Sequence, residues 1–136
     1  MLQLIVGKKG TGKTKTLIGM ILESAKICEG DIVCIEKGAN LIFDIPHQVR
    51  LVDAEQSYIK GFEAFYGFLA GLIAGNYDIK EIYVDSILKI SGGLDGFEAL
   101  LEKLQRLLGD DVKLTFTVSA DLSELPASLQ QYVYQA

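Results

Sequence analysis

Five short, almost unbroken apolar runs alternate along the chain with stretches whose apolar residues recur every three or four positions. The runs are Gln3-Leu4-Ile5-Val6 and residues 31–38 (DIVCIEKG), 48–53 (QVRLVD), 80–87 (KEIYVDSI) and 111–118 (DVKLTFTV). Each is short, apolar and bounded by glycine or a polar turn, which is the signature of a strand buried on both faces. The fourth strand is expected to end at Asp85. A first helix is expected over 13–27, where Leu17, Ile18, Ile21, Leu22 and Ala25 share one face. A last one is expected over 94–109, with Leu94, Phe97, Leu100, Leu101, Leu104, Leu107 and Leu108 on one side and Gly109 placed to stop it. Residues 36–48 form the one long irregular connection, and the tail after Asp121 carries a short helix around Pro126. Strands that alternate with helices predict a parallel sheet covered on both faces. The expectation is a three-layer α/β fold with a mainly parallel five-stranded sheet, one domain over residues 1–136.

The middle helix, expected over 57–75 (SYIKGFEAFYGFLAGLIAG), has a different pattern. Tyr58, Phe62, Phe65, Leu69 and Leu72 make one stripe, and Tyr66, Phe68 and Ile73 spread apolar character to other faces. Helices that are apolar all round are usually buried on more than one side. Gly67, Gly71 and Gly75 recur every four residues and open a groove, although a glycine inside a helix costs about 1 kcal/mol relative to alanine. Two readings stand: close packing against the sheet or a neighbouring helix, or a contact with a homodimer or protein partner along the groove. Under either, Gly71→Leu is expected to disrupt.

Composition narrows the class. The 136 residues are 49% hydrophobic with a formal net charge of −5, which argues against disorder, a nucleic-acid partner or an anionic membrane surface. The longest apolar stretch, 65–75, is well short of the ~20 residues a membrane helix needs. Cys28 and Cys34 are too few for a disulfide scaffold, and two buried thiols in a reducing cytoplasm are the expectation.

The chemistry concentrates directly after the first strand. Residues 7–14, GKKGTGKT, complete the pattern G-x-x-x-x-G-K-[ST] in Gly7, Lys8, Lys9, Gly10, Thr11, Gly12, Lys13 and Thr14. Glycines let backbone N–H groups turn toward phosphates, and the lysine reaches the β- and γ-oxygens. The threonine hydroxyl meets Mg²⁺, and the following helix adds the positive end of its dipole. These terms offset the cost of crowding lysines onto a glycine-rich turn.

With strand, loop and helix in that order, and an apolar strand ending in Asp85, the chain resembles the P-loop NTPase superfamily. It is also similar to short bacterial P-loop proteins, some labelled twitching-motility ATPases. The resemblance implies a P-loop NTPase-type fold, a nucleotide on the whole loop, and Mg²⁺ held by Thr14 and by Asp85 as the Walker B carboxylate. In many relatives a glutamate follows that aspartate and activates water; here Ser86 stands there, so no catalytic residue is assigned. Glu36, Asp44, Asp53 and Glu55 lie at or after strand ends and are the substitutes. Thr117 and Ser119 end the last strand in a position similar to the sensor that touches the γ-phosphate, and Ser119 joins the expected nucleotide contacts. Lys8 stands where deviant Walker loops of ParA/MinD-like ATPases carry a lysine that reaches a partner subunit, but Lys9 replaces the glycine expected next.

No N-K-x-D guanine-reading sequence occurs, and only Arg50 and Arg106 could clamp a migrating phosphate, so GTPase and small-molecule kinase chemistry are disfavoured. ATP is the nucleotide by elimination. Two functions follow: a slow ATPase acting as a conformational switch, or a non-hydrolysing regulatory or adaptor module that works through a protein partner.

Overall fold

The structure, a computed structural model, describes residues 1–135. The strands are β1 (Leu2–Gly7), β2 (Asp31–Glu36), β3 (Val49–Asp53), β4 (Ile79–Val84) and β5 (Lys113–Ser119). The helices are α1 (Lys13–Ile27), α2 (Gly61–Gly75), α3 (Ile87–Ser91) and α4 (Phe97–Leu108), followed by 3₁₀ turns at Leu122–Glu124 and Ala127–Tyr132. The strands form one sheet in the order β1-β5-β4-β2-β3, every neighbouring pair parallel. The expected three-layer α/β fold with a five-stranded parallel sheet is therefore what the chain adopts.

Alternation along the strands divides the core. Val33, Ile35, Ile82, Val84, Leu114, Phe116 and Val118 pack with α2, α3 and α4. Ile32, Cys34, Tyr83 and Ile5 pack with Leu17 and Ile21 of α1 and with Leu41 and Ile45 of the long connection. Fully burying side chains of this size contributes roughly 1.5–3 kcal/mol each. Phe97 of α4 meets Phe116 of β5 edge to face at 5.7 Å between centroids, and Phe65 of α2 lies 5.9 Å from the same ring. Those contacts fix both helices over β5, inside the sheet's edge.

Three expectations need correction. The middle helix begins at Gly61 and not at residue 57, because residues 54–58 form a turn. Tyr58 therefore leaves the apolar stripe: it has φ 57° and is 90% exposed. A Cβ built on Gly67, Gly71 or Gly75 meets no heavy atom within 4 Å, so these glycines pack against nothing in this chain and lie exposed. Phe65 and Leu69 carry the buried face instead, and α2 is not buried on more than one side. The last helix starts at Phe97, after Gly96 at φ 88°, which leaves Leu94 in the preceding turn. Two features were not foreseen. Helix α3 directly follows the Asp85 turn, and the tail returns to the sheet edge, where the Tyr134 N–H donates to the Leu4 carbonyl at 2.7 Å. Among the described residues no helix is long and apolar enough to cross a membrane.

Candidate functional site

Parallel strands deliver their carboxyl ends to one edge of the sheet, and ligands of open α/β sheets sit beyond that edge. Here β5 lies between β1, which leads into the glycine loop, and β4, which leads into Asp85. Register pairs Gly7 with Ser119, Ile5 with Thr117 and Val84 with Phe116. The loop, the aspartate and the end of β5 are thus brought together by the strand order.

The loop's shape has local causes. Gly10 and Gly12 have φ of 84° and 82°, a region that L-residues with a Cβ rarely adopt. A Cβ on Gly7 would lie 2.6 Å from Thr11 Oγ1, which donates to the Lys8 carbonyl at 2.7 Å. The Lys13 ammonium donates to that same carbonyl at 2.8 Å. Lys13 is only 8% exposed. Burial lowers its pKa, and the Asp85 charge works in the opposite direction.

Asp85 is the polar centre. It is 7% exposed, and its backbone N–H donates to the Ile35 carbonyl of β2 at 2.9 Å. The Thr14 hydroxyl donates to it, 3.0 Å from one carboxylate oxygen and 3.2 Å from the other. From β5, the fully buried Thr117 hydroxyl donates to Oδ1 at 2.7 Å and accepts the Ser86 N–H at 2.6 Å. That second bond braces Ser86, whose φ of 57° is unusual for a non-glycine residue. A chain from Thr14 through Asp85 and Thr117 to Ser86 joins α1, β4, β5 and the turn into α3.

A cavity of about 410 Å³ opens beside this chain, lined in part by Lys9, Gly10, Gly12, Lys13, Thr14, Ser86 and Ser119. Of the expected nucleotide contacts, these loop residues and Ser119 face one space. Gly7, Lys8 and Thr11 shape the loop through the contacts just described, and the Lys8 charge also helps lower the Asp121 carboxyl, whose main cause is the Ser123 hydroxyl. Lys89 of α3 lines the cavity as well. It was missed from sequence because a five-residue helix has no readable periodicity.

The substitute carboxylates separate clearly. Glu36 ends β2 beside β4, one step beyond the Ile35–Val84 pair, and is 5% exposed. Its carboxylate accepts from the Leu41 N–H at 2.8 Å and the Asn40 amide at 3.3 Å. Burial, together with the charges of Glu36 and Asp85, pushes the Cys34 thiol up to about 12. Asp53 instead clips a turn: it accepts from the backbone N–H groups of Gly38, Glu55 and Gln56, and the Gly38 bond chiefly lowers its pKa. Asp44 and Glu55 are exposed, and neither hydrogen-bonds into the Asp85 chain.

No protein-family model and no curated protein matches the sequence. Among solved structures, the fold is similar to the crystal structure of flagellar accessory protein FlaH from Methanocaldococcus jannaschii, with a TM-score of 0.63 and 15% sequence identity. The similarity covers 96% of this chain and 65% of that one, so the chain spans just under two thirds of its neighbour's length. At that identity the likeness speaks for the fold alone, and the fold is the α/β P-loop NTPase type.

Proposed function

We propose that this chain is a P-loop NTPase superfamily protein that binds Mg·ATP and hydrolyses it slowly as a conformational switch. The observation that carries the reading is the chain of hydrogen bonds from Thr14 through Asp85 to Thr117, set against the glycine loop and the nearly buried Lys13. In this reading the loop N–H groups and Lys13 hold the β- and γ-phosphates, with Lys8, Lys9 and Thr11 shaping and charging the loop and Ser119 reaching the terminal phosphate. Thr14 and Asp85 hold Mg²⁺. One hydroxyl and one carboxylate suit that ion, which keeps several waters and takes its other oxygens from phosphates. Bound there, Mg²⁺ would neutralise charge developing on the phosphates.

Glu36 is the carboxylate best placed to orient a water, because it stands on the strand beside Asp85. Its bond to the Leu41 N–H ties that role to the 36–48 connection, so turning toward a nucleotide would release the connection. The second reading, a non-hydrolysing adaptor, is favoured by Ser86 directly after Asp85 and by the partners Glu36 already has. The free Cys28 and Cys34 support a cytoplasmic setting. Contact with a second copy through the exposed Gly67, Gly71 and Gly75 face belongs to the proposal, and a monomeric mass at micromolar concentration would remove it. Turnover separates the two readings. The switch predicts slow phosphate release that Glu36→Gln lowers at least about tenfold, and binding with turnover no higher than that of Lys13→Ala would leave the adaptor.

A further inference from the structure

A second cavity, of about 460 Å³, shares Lys89 with the cavity at the phosphate loop. It forms where three strands end: Lys37 follows β2, residues 54–60 follow β3, and Lys89 and Ile90 come from α3 after β4. Its floor is apolar, made by the buried Ile59 and Ile90. Tyr58 is among the lining residues and is 90% exposed, in a tight turn in which its N–H donates to the Glu55 carbonyl at 3.2 Å. Lys37, Lys60 and Lys89 line the wall, with Glu55 the acidic residue among the lining groups.

The charge pattern runs against the net charge of the chain, −5. The chain has 18 acidic and 13 basic residues, yet three lysines converge on this cavity. Among the described residues the one ion pair within 4 Å joins Lys26 to Glu23, so none of the three lysines is paired. All three lysines are exposed, so their ammonium groups are free to meet an anion arriving from solution. The volume falls in the roughly 300–1,000 Å³ span of small-molecule sites.

We propose that this cavity binds a small organic anion with a flat, apolar body: an aromatic or heteroaromatic carboxylate, sulfonate or phosphate ester. The ring would lie against Ile59 and Ile90 with Tyr58 beside it, and the anionic group would meet the lysines. Because Lys89 lines both cavities, such a ligand would sit next to whatever occupies the phosphate loop. The proposal does not depend on nucleotide binding.

The probe is 8-anilinonaphthalene-1-sulfonate, an aromatic sulfonate, titrated against the intact protein and followed by fluorescence. Saturable one-to-one binding is expected, at least about tenfold tighter than that of its uncharged parent, N-phenyl-1-naphthylamine. The exposed pair Lys37→Glu and Lys60→Glu together should weaken the sulfonate at least about tenfold, and Tyr58→Ala a few-fold. Circular dichroism and the urea midpoint confirm that these variants are folded. Lys13→Ala should leave affinity within about twofold, since it alters the other cavity. Equal affinity for the two dyes, indifference to the double charge reversal, or a loss in Lys13→Ala instead would each overturn the proposal. So would displacement of the dye by a ten-nucleotide thymidine oligomer at lower concentration than by benzoate, which would make the face a nucleic-acid surface.

Discussion

Two glycine-rich stretches of this chain look alike in sequence and differ completely in structure. In the loop after β1, Gly10 and Gly12 occupy left-handed backbone, and Gly7 leaves room for a Thr11 hydroxyl that a Cβ would displace. In α2, Gly67, Gly71 and Gly75 have ordinary helical backbone and nothing within 4 Å of where a Cβ would be. The first set is required by the fold of the loop itself. The second set is required by nothing inside the chain. Glycine spacing alone therefore does not reveal its cause; the backbone angle and the nearest atom do.

That contrast can be attacked at several points. The largest effect should come from Thr117→Val, which keeps the shape but strips a bond from the buried Asp85 charge and orphans the Ser86 N–H. A loss of about 2–4 kcal/mol in urea unfolding is expected, against less than about 0.5 kcal/mol for the exposed Ser119→Ala. Next is Gly12→Ala, which forces a Cβ into left-handed backbone and should cost about 1–2 kcal/mol. Gly71→Ala should act in the opposite sense and stabilise the chain by about 0.5–1 kcal/mol, because a better helix former meets no obstacle. Equal signs for these two substitutions in the same unfolding measurement would erase the distinction.

The smallest effect concerns acid. The Gly38 N–H holds the Asp53 carboxyl below its ordinary 3.8. The clip it makes is therefore fully present above that pH and is lost as pH falls through the lowered value. Asp53→Asn should flatten the acid limb of a stability–pH curve below about pH 4 and leave the neutral region nearly parallel.

Much of the fold was legible because the buried strands are nearly continuous in apolar residues, so their alternation with α1 and α4 could be read directly. The phosphate loop was legible because its chemistry is local: eight consecutive residues carry glycine, lysine and threonine at fixed spacing. What escaped depends on register or on context. Thr117 and Ser119 look equivalent in sequence, and only the pairing of β5 between β1 and β4 decides that Thr117 reaches Asp85. Glu36 and Asp53 both end strands, yet one lies beside Asp85 and the other clips a turn. Helix α3 is too short for periodicity, and Lys89 went unseen with it. Tyr58 fell out of its stripe because a residue with positive φ ended the pattern.

The central claim is that the loop after β1 holds the phosphates of Mg·ATP, and calorimetric titration with and without Mg²⁺ tests it most directly. The account predicts saturable binding that weakens without the metal and falls at least about tenfold in both Lys13→Ala and Asp85→Asn. The absence of binding by the unmodified protein at millimolar nucleotide, or binding that neither substitution alters, would contradict it.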